Sequence, residues 1–294
     1  MSVIRVQLAG GLGNNLFQLS AGIAHADKFG KELLVLKPKN LEKKYSHTFN
    51  SNLLGNFNFA HNDTSASLGI SRLAQRIENR ALKSVKFLSQ FRGIDIPNEV
   101  GFSEPVLIDK DLVELRGYYQ SYRYSEYTEN WLGNYLELKD PTDWFTQAAE
   151  EIQLNSKLAC IHIRLGDYKH LKSNFGLLSS EYYLNAIERM NSQLHIEKYW
   201  VFTDDLEYAR FLLKDIKSNF FFVDPSEHSS PSESLILMSK FKAHIIGNST
   251  YSWWGSYLSE VSQMTIYPDP WFRNLGLIRD LVPPDWISEK SHWR

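Results

Sequence analysis

The chain has 294 residues, enough for one large or two medium domains, each with a sizeable core. Its 32 basic and 34 acidic side chains leave a formal charge of -2, which argues against a general nucleic-acid surface. A single cysteine, Cys160, excludes an intrachain disulfide and fits a reducing compartment. Aromatic residues reach 14%, with 8 Trp and 15 Tyr. Rings of this kind serve either as core or as walls on which the apolar face of a pyranose stacks.

The chain starts with a short apolar run, Val3 to Leu8, that reads as a buried strand ending at Gly10-Gly11. It has neither the basic start nor the long apolar stretch of a secretory signal, so a cytoplasmic protein is expected. No window approaches the roughly 18 apolar residues of a membrane span. Asn14 or Asn15 is expected to cap a helix whose apolar side is Leu16, Phe17, Leu19, Ile23 and Ala24. Glu32 to Leu36 reads as a second strand, which completes a βαβ unit and implies a parallel sheet.

Arg72 to Leu88 has helical spacing, with Arg72, Arg76, Arg80 and Lys83 on one side. A solvated face is the ordinary reading; a peripheral contact with the inner membrane is the sharper one. A domain boundary is expected in the polar stretch 139–156, placed at 150, giving domains 1–150 and 151–294. Beyond it the rhythm is regular. Strands are expected at Leu158–Ile163, Tyr199–Phe202, Phe220–Val223, His244–Ile246 and Met264–Tyr267. Helices are expected at Ser180–Met190, Leu206–Leu213, Glu233–Phe241 and Trp253–Leu258. This is the pattern of an α/β, doubly wound parallel sheet.

Ligands of such sheets sit beyond the carboxyl ends of the strands. The residues that follow each apolar run are therefore the candidate site: Arg164 to Tyr168, Thr203-Asp204-Asp205, Asp224 to Ser226, and Gly247 to Ser252. Arg164 offers a fork of donors suited to a phosphate, unless it is a structural ion pair with Asp167. His162 lies on the same strand face, two residues earlier. Asn248, Ser249, Thr250 and Ser252 bring side-chain donors and backbone amides to a helix start, which favours an anion; a plain helix cap is the bland alternative. Trp253 and Trp254 read as core.

Gly10 to Leu16 has the context of a phosphate-binding turn, with Gly11, Gly13 and Asn14 as contacts. It is no dinucleotide fingerprint, because Leu16 stands at the third glycine, and no P-loop, because no Lys-Ser or Lys-Thr follows. A tight turn that needs glycine for positive φ is the alternative. Asp109-Lys110-Asp111 is the sole Asp-x-Asp triplet and lacks supporting ligands, so no metal site is expected; nor does any His/Cys spacing suggest zinc.

Together these segments resemble the galactoside alpha-1,2-fucosyltransferase family, glycosyltransferase family 11. The resemblance is carried by Gly10 to Gln18, Gly117-Tyr118-Tyr119-Gln120-Ser121, His162 to Tyr168, Phe202 to Asp205, and Asn248 to Gly255. Asn15, Leu165 and Tyr251 depart from the usual Gln, Arg and Phe. The resemblance implies a GT-B-like fold of two Rossmann-like parallel-sheet halves, with an acceptor-side N-terminal domain and GDP-fucose held by the C-terminal one. It implies inverting, metal-independent transfer of L-fucose to the 2-hydroxyl of a galactose-containing oligosaccharide or lipid-linked glycan, as in O-antigen or lipopolysaccharide synthesis. No cofactor beyond the donor GDP-fucose is implied. By the same resemblance His162 and Asp204 would contact guanine or ribose, with Asp205 adjoining. Arg164 would stabilise the departing diphosphate, and Asp167 would orient Arg164 or act as base. Two rivals remain: a Rossmann-type sugar-nucleotide oxidoreductase and a non-catalytic glycan-binding module.

Overall fold

Alternating burial sets the first strand: Ile4 and Val6 of β1 (Val3–Gln7) are buried, while Val3, Arg5 and Gln7 are half-buried. The computed structural model describes residues 3–36, 53–54, 57, 59–60, 101–105, 112–126, 132–166, 168–224, 230–276, 278 and 280–294. Within it the chain forms two units, one of Met1–Glu137 with Ile278–Leu281, the other of Leu138–Leu277 with Val282–Arg294. The boundary drawn from the sequence at 150 passes through a helix of the second unit, Asp143–Leu154. The basic helical stretch 72–88 and the Asp109–Asp111 triplet lie outside the described residues.

In the first unit β1 is followed by α1 (Leu12–Phe29), β2 (Glu32–Leu36), the short β3 (Phe59–Ala60) and β4 (Leu112–Leu115). The order is β3-β2-β1-β4, and every pairing is parallel. β4 escapes a search for apolar runs because Glu114 interrupts it. That carboxylate is 3% exposed and is neutralised by Arg5 of β1 and by Arg116, which is how a buried charge is tolerated. The short α2 (Arg123–Glu126) follows.

The second unit starts with α3 (Asp143–Leu154), capped by Thr142, whose hydroxyl accepts from the Phe145 amide at 3.1 Å. Then come β5 (Leu158–Ile163), the one-turn α4 (Tyr168–Leu171), α5 (Ser180–Asn191), β6 (Lys198–Thr203), α6 (Leu206–Leu213) and β7 (Phe220–Val223). α7 (Pro231–Met238), β8 (Ala243–Ile245), α8 (Thr250–Tyr257), β9 (Met264–Asp269) and β10 (Ile287–Lys290) complete it. The sheet order is β10-β9-β8-β5-β6-β7, again parallel throughout. β5 is buried at all six positions, as a central strand covered on both faces must be. Its core partners include Tyr182, Tyr183, Ile187, Val201 and Ile266.

Most boundaries shift by one to three residues, and two helix starts differ for a clear physical reason. The first helix starts at Leu12 with Gly11 as its cap, and Asn14 and Asn15 lie inside it. Asn15 is fully buried and uses its amide to bond the Ala9 carbonyl at 3.0 Å, so it ties the turn to the helix instead of capping it. The last helix starts three residues early, at Thr250, because the Ser249 hydroxyl accepts from the Tyr251 amide and caps it there. No helix among the described residues is long and apolar enough to cross a membrane.

Candidate active site

The chain leaves β5 for β6 and β7 on one side, then returns to β8, β9 and β10 on the other. The adjacent carboxyl ends of β5 and β8 are thus a topological switch point, the place where open α/β sheets leave a crevice for ligands. The loop after β5 carries Arg164, and the loop after β8 carries Gly247 to Ser249. Here the structure brings together His162, Arg164, Asp204, Asp205, Asn248, Ser249, Thr250 and Ser252. Asp167 lies outside the described residues.

Arg164 is held by Asp204, not left to swing. Its Nη1 lies 2.6 Å from Asp204 Oδ2, and Asp204 Oδ1 accepts from the Leu165 amide at 2.9 Å. The guanidinium stays a third exposed and lies 5.7 Å from the centre of the Tyr168 ring. Gly166 makes the pairing fit. Its φ is 23°, and a Cβ there would come within 2.4 Å of Asp204 Oδ2 and 3.2 Å of Arg164 Cζ. The acidic partner observed for Arg164 is therefore Asp204, from the loop after β6, a residue for which the family resemblance implies contact with guanine or ribose.

His162 is 5% exposed, with its ring 5.7 Å from that of Tyr251 and no hydrogen-bond partner on Nδ1 among the described residues. Burial, and secondly the Arg164 cation, hold its pKa down to about 3, so the ring is neutral near pH 7. This couples to stability. The folded pKa lies below the unfolded value near 6.5, so the unfolded chain takes up the proton first and stability falls as pH drops below 6.5. Buried His244, lowered by burial to about 4, acts in the same direction. Each should contribute on the order of 1 kcal/mol per pH unit between pH 6.5 and 4.5. Urea unfolding across that range should give a shallower slope for His162→Gln than for the parent; equal slopes would contradict a buried neutral ring.

Several other candidates already have structural duties. Asp205 caps α6, accepting from the Tyr208 amide at 2.9 Å through Oδ1, and pairs with Lys169 through Oδ2 at 2.9 Å. Lys169 and the Tyr208 amide hold its carboxyl below the usual range. Asn248 donates to the Phe175 carbonyl at 2.9 Å and accepts the Tyr168 hydroxyl on its own carbonyl at 2.9 Å. Ser252 bonds the carbonyls of Gly247 and Ser249. Ser249 caps α8. Thr250, half-buried on the first turn of that helix, keeps a hydroxyl with no partner among the described residues. The amides of that turn and this hydroxyl form the anion-favouring end of the helix.

Gly11, Gly13 and Asn14 belong to the other unit, after β1. Positive φ falls on Gly10 (77°), where a Cβ would meet Asn14 Nδ2 at 2.7 Å. Gly11 has ordinary φ and open space around it. Two residues without a sequence-assigned role bind this turn to the segment after β4. Gln18 accepts from the Ala9 amide and donates to the Gly117 carbonyl at 2.8 Å, and Gln120 donates to Asn14 Oδ1 at 3.0 Å. Gln18 lies in a motif that follows a strand legible in the sequence, whereas Gln120 follows β4, which the sequence reading does not find.

Two all-parallel sheets, one in each unit, make this an α/β protein of GT-B-like fold. The NodZ fucosyltransferase of Bradyrhizobium has this fold; its crystal structure superposes with a TM-score of 0.54 at 12% identity, covering 92% of this chain and 95% of NodZ. A NodZ alpha-1,6-fucosyltransferase crystal soaked with GDP-fucose gives 0.52 at 11% identity, covering 92% of this chain and 95% of that one. The chain belongs to glycosyl transferase family 11, whose model matches residues 3–289. It is 28% identical to an alpha-1,2-colitosyltransferase of Escherichia coli over 304 residues, 98% of this chain and 99% of that protein. It is also 33% identical to the Escherichia coli O-antigen biosynthesis glycosyltransferase WbnK over 138 residues, 46% of this chain and 45% of that protein.

Proposed function

We propose that this protein transfers L-fucose from GDP-fucose, with inversion, to the 2-hydroxyl of a galactoside destined for a surface glycan. The observation that carries the reading is the pair formed at one switch point by Arg164, steadied by Asp204 at 2.6 Å, and the start of α8 with the Thr250 hydroxyl on its first turn. Donor cleavage breaks the bond from sugar C1 to a β-phosphate oxygen, and the electron pair stays on the diphosphate. The acceptor oxygen forms the new bond to C1 and gives up its proton to solvent or to the departing diphosphate. Charge grows on the diphosphate, where a fixed guanidinium and helix-start amides are worth most. His162, neutral and buried, suits contact with an uncharged part of the nucleotide.

The whole-length relative favours a second donor. Colitose is L-fucose without its 3-hydroxyl, so the two donors share the diphosphate chemistry and differ at one polar group.

The test is turnover of GDP-fucose and GDP-colitose against a panel of galactosides in EDTA, with linkage read by NMR. An α-1,2 product from GDP-fucose at undiminished rate in EDTA is expected. Exclusive use of GDP-colitose would move the donor assignment, and loss of activity in EDTA would overturn metal independence. Thermal stabilisation by NAD but not GDP would sink the transferase reading altogether.

A further inference from the structure

The first unit has a switch point of its own. The chain leaves β1 for β2 and β3 on one side, while β4 pairs on the other, with Val6 opposite Leu115. Its two walls are the Gly10–Gly11 turn after β1 and the segment Arg116 to Ser121 after β4. We propose that Tyr118, in the second wall, is the platform on which the galactose of the acceptor stacks. The proposal rests on the galactoside reading above and gives it a residue.

Three observations fix the segment and leave the ring exposed on it. First, the segment is pinned at both ends, at Gly117 by Gln18 (2.8 Å) and at Gln120 through its bond to Asn14 (3.0 Å). Second, Tyr119 between them is fully buried at φ 52°, a left-handed backbone that disfavours a bulky residue. Its ring packs edge-on against Tyr124 at 5.7 Å, and so the strained conformation is enforced by the core beneath it. Third, that burial leaves Tyr118 outside. At 42% exposure it is the one exposed large apolar side chain of this unit among the described residues. A flat ring exposed beside a left-handed backbone, on a segment at the carboxyl end of a parallel sheet, offers a surface that a ligand can cover. Galactose fits because its C3, C4 and C5 hydrogens share one face, the 4-hydroxyl pointing the other way. The ring gives that face a flat apolar partner, and the paired amides of Gln120 in the same wall and Asn14 beside the facing turn supply polar groups.

The test uses the full chain with methyl β-galactoside and lactose as probes, titrated by saturation-transfer NMR. GDP is titrated in parallel, and thermal melting is recorded for each variant. Tyr118→Ala should weaken both galactosides at least tenfold, while Tyr118→Phe stays within twofold and GDP affinity and melting stay unchanged. Galactoside affinity within twofold of the parent in Tyr118→Ala would overturn the proposal, as would a parent protein that binds neither galactoside. A parent that binds galactoside but not GDP would refute the donor reading and leave the fate of Tyr118 to the same titration.

Discussion

Arg164→Ala is expected to fold, to melt within a few degrees of the parent, and to lose roughly 10²–10³ in kcat, the usual effect of deleting one preorganised donor to a developing oxyanion. The magnitude follows from where the cation sits. Arg164 is two-thirds covered, anchored by Asp204, and next to a neutral histidine instead of a second cation. No solvent or side chain has to reorganise before it meets charge on the diphosphate, which is the source of such large effects. Arg164→Lys should recover only part of the loss, since a point charge cannot keep Asp204 and hold a phosphate with the same planar fork. The measurement is steady-state turnover with GDP affinity taken separately. A variant that keeps more than about a tenth of parental kcat with an intact melting curve removes Arg164 from the chemistry.

The second sheet was legible because its strands are short apolar runs closed by polar loops. Leu158–Ile163, Leu206–Leu213 and Phe220–Val223 needed no correction. Two of the missed strands, β4 and β10, carry charge for physical reasons. β4 buries Glu114 because two arginines neutralise it, a pairing that cannot be seen from one strand alone. β10, Ile-Ser-Glu-Lys, lies at a sheet edge and shows every second side chain to water, so it reads as loop. The site followed the same division. That polar residues converge after β5, β6 and β8 could be inferred from run-then-loop spacing. Which acid meets Arg164 depended on the lateral order β8-β5-β6, which sequence spacing does not encode. Gln120 and Tyr118 were hidden for the complementary reason. Their strand, β4, had not been recognised, so the segment that follows it had no edge to belong to.

Trp253→Ala should cost roughly 3–5 kcal/mol, the range for deleting a fully buried large aromatic side chain. Trp253 is 0% exposed and its ring meets three others, stacked on Tyr257 at 4.4 Å, edge-on to Trp254 at 4.9 Å and tilted against Trp286 at 5.5 Å. The hole cannot close by a shift of one neighbour, because Trp286 belongs to the stretch after β9 and Trp254 and Tyr257 are fixed on the same helix. For a unit of about 150 residues this predicts a fall in Tm on the order of 10 °C. Trp253→Phe, which keeps a ring against Tyr257, should lose less than half as much. Function should suffer with the fold, since α8 presents the Thr250 hydroxyl and the free amides of its first turn only while the far end of the helix is packed. Phosphate or GDP should therefore stabilise the variant less than the parent. A drop in Tm below about 3 °C would mean that the ring cluster repacks around the gap, and that the helix start is held by the Ser249 cap and the Tyr251 hydroxyl bond to the Pro231 carbonyl instead.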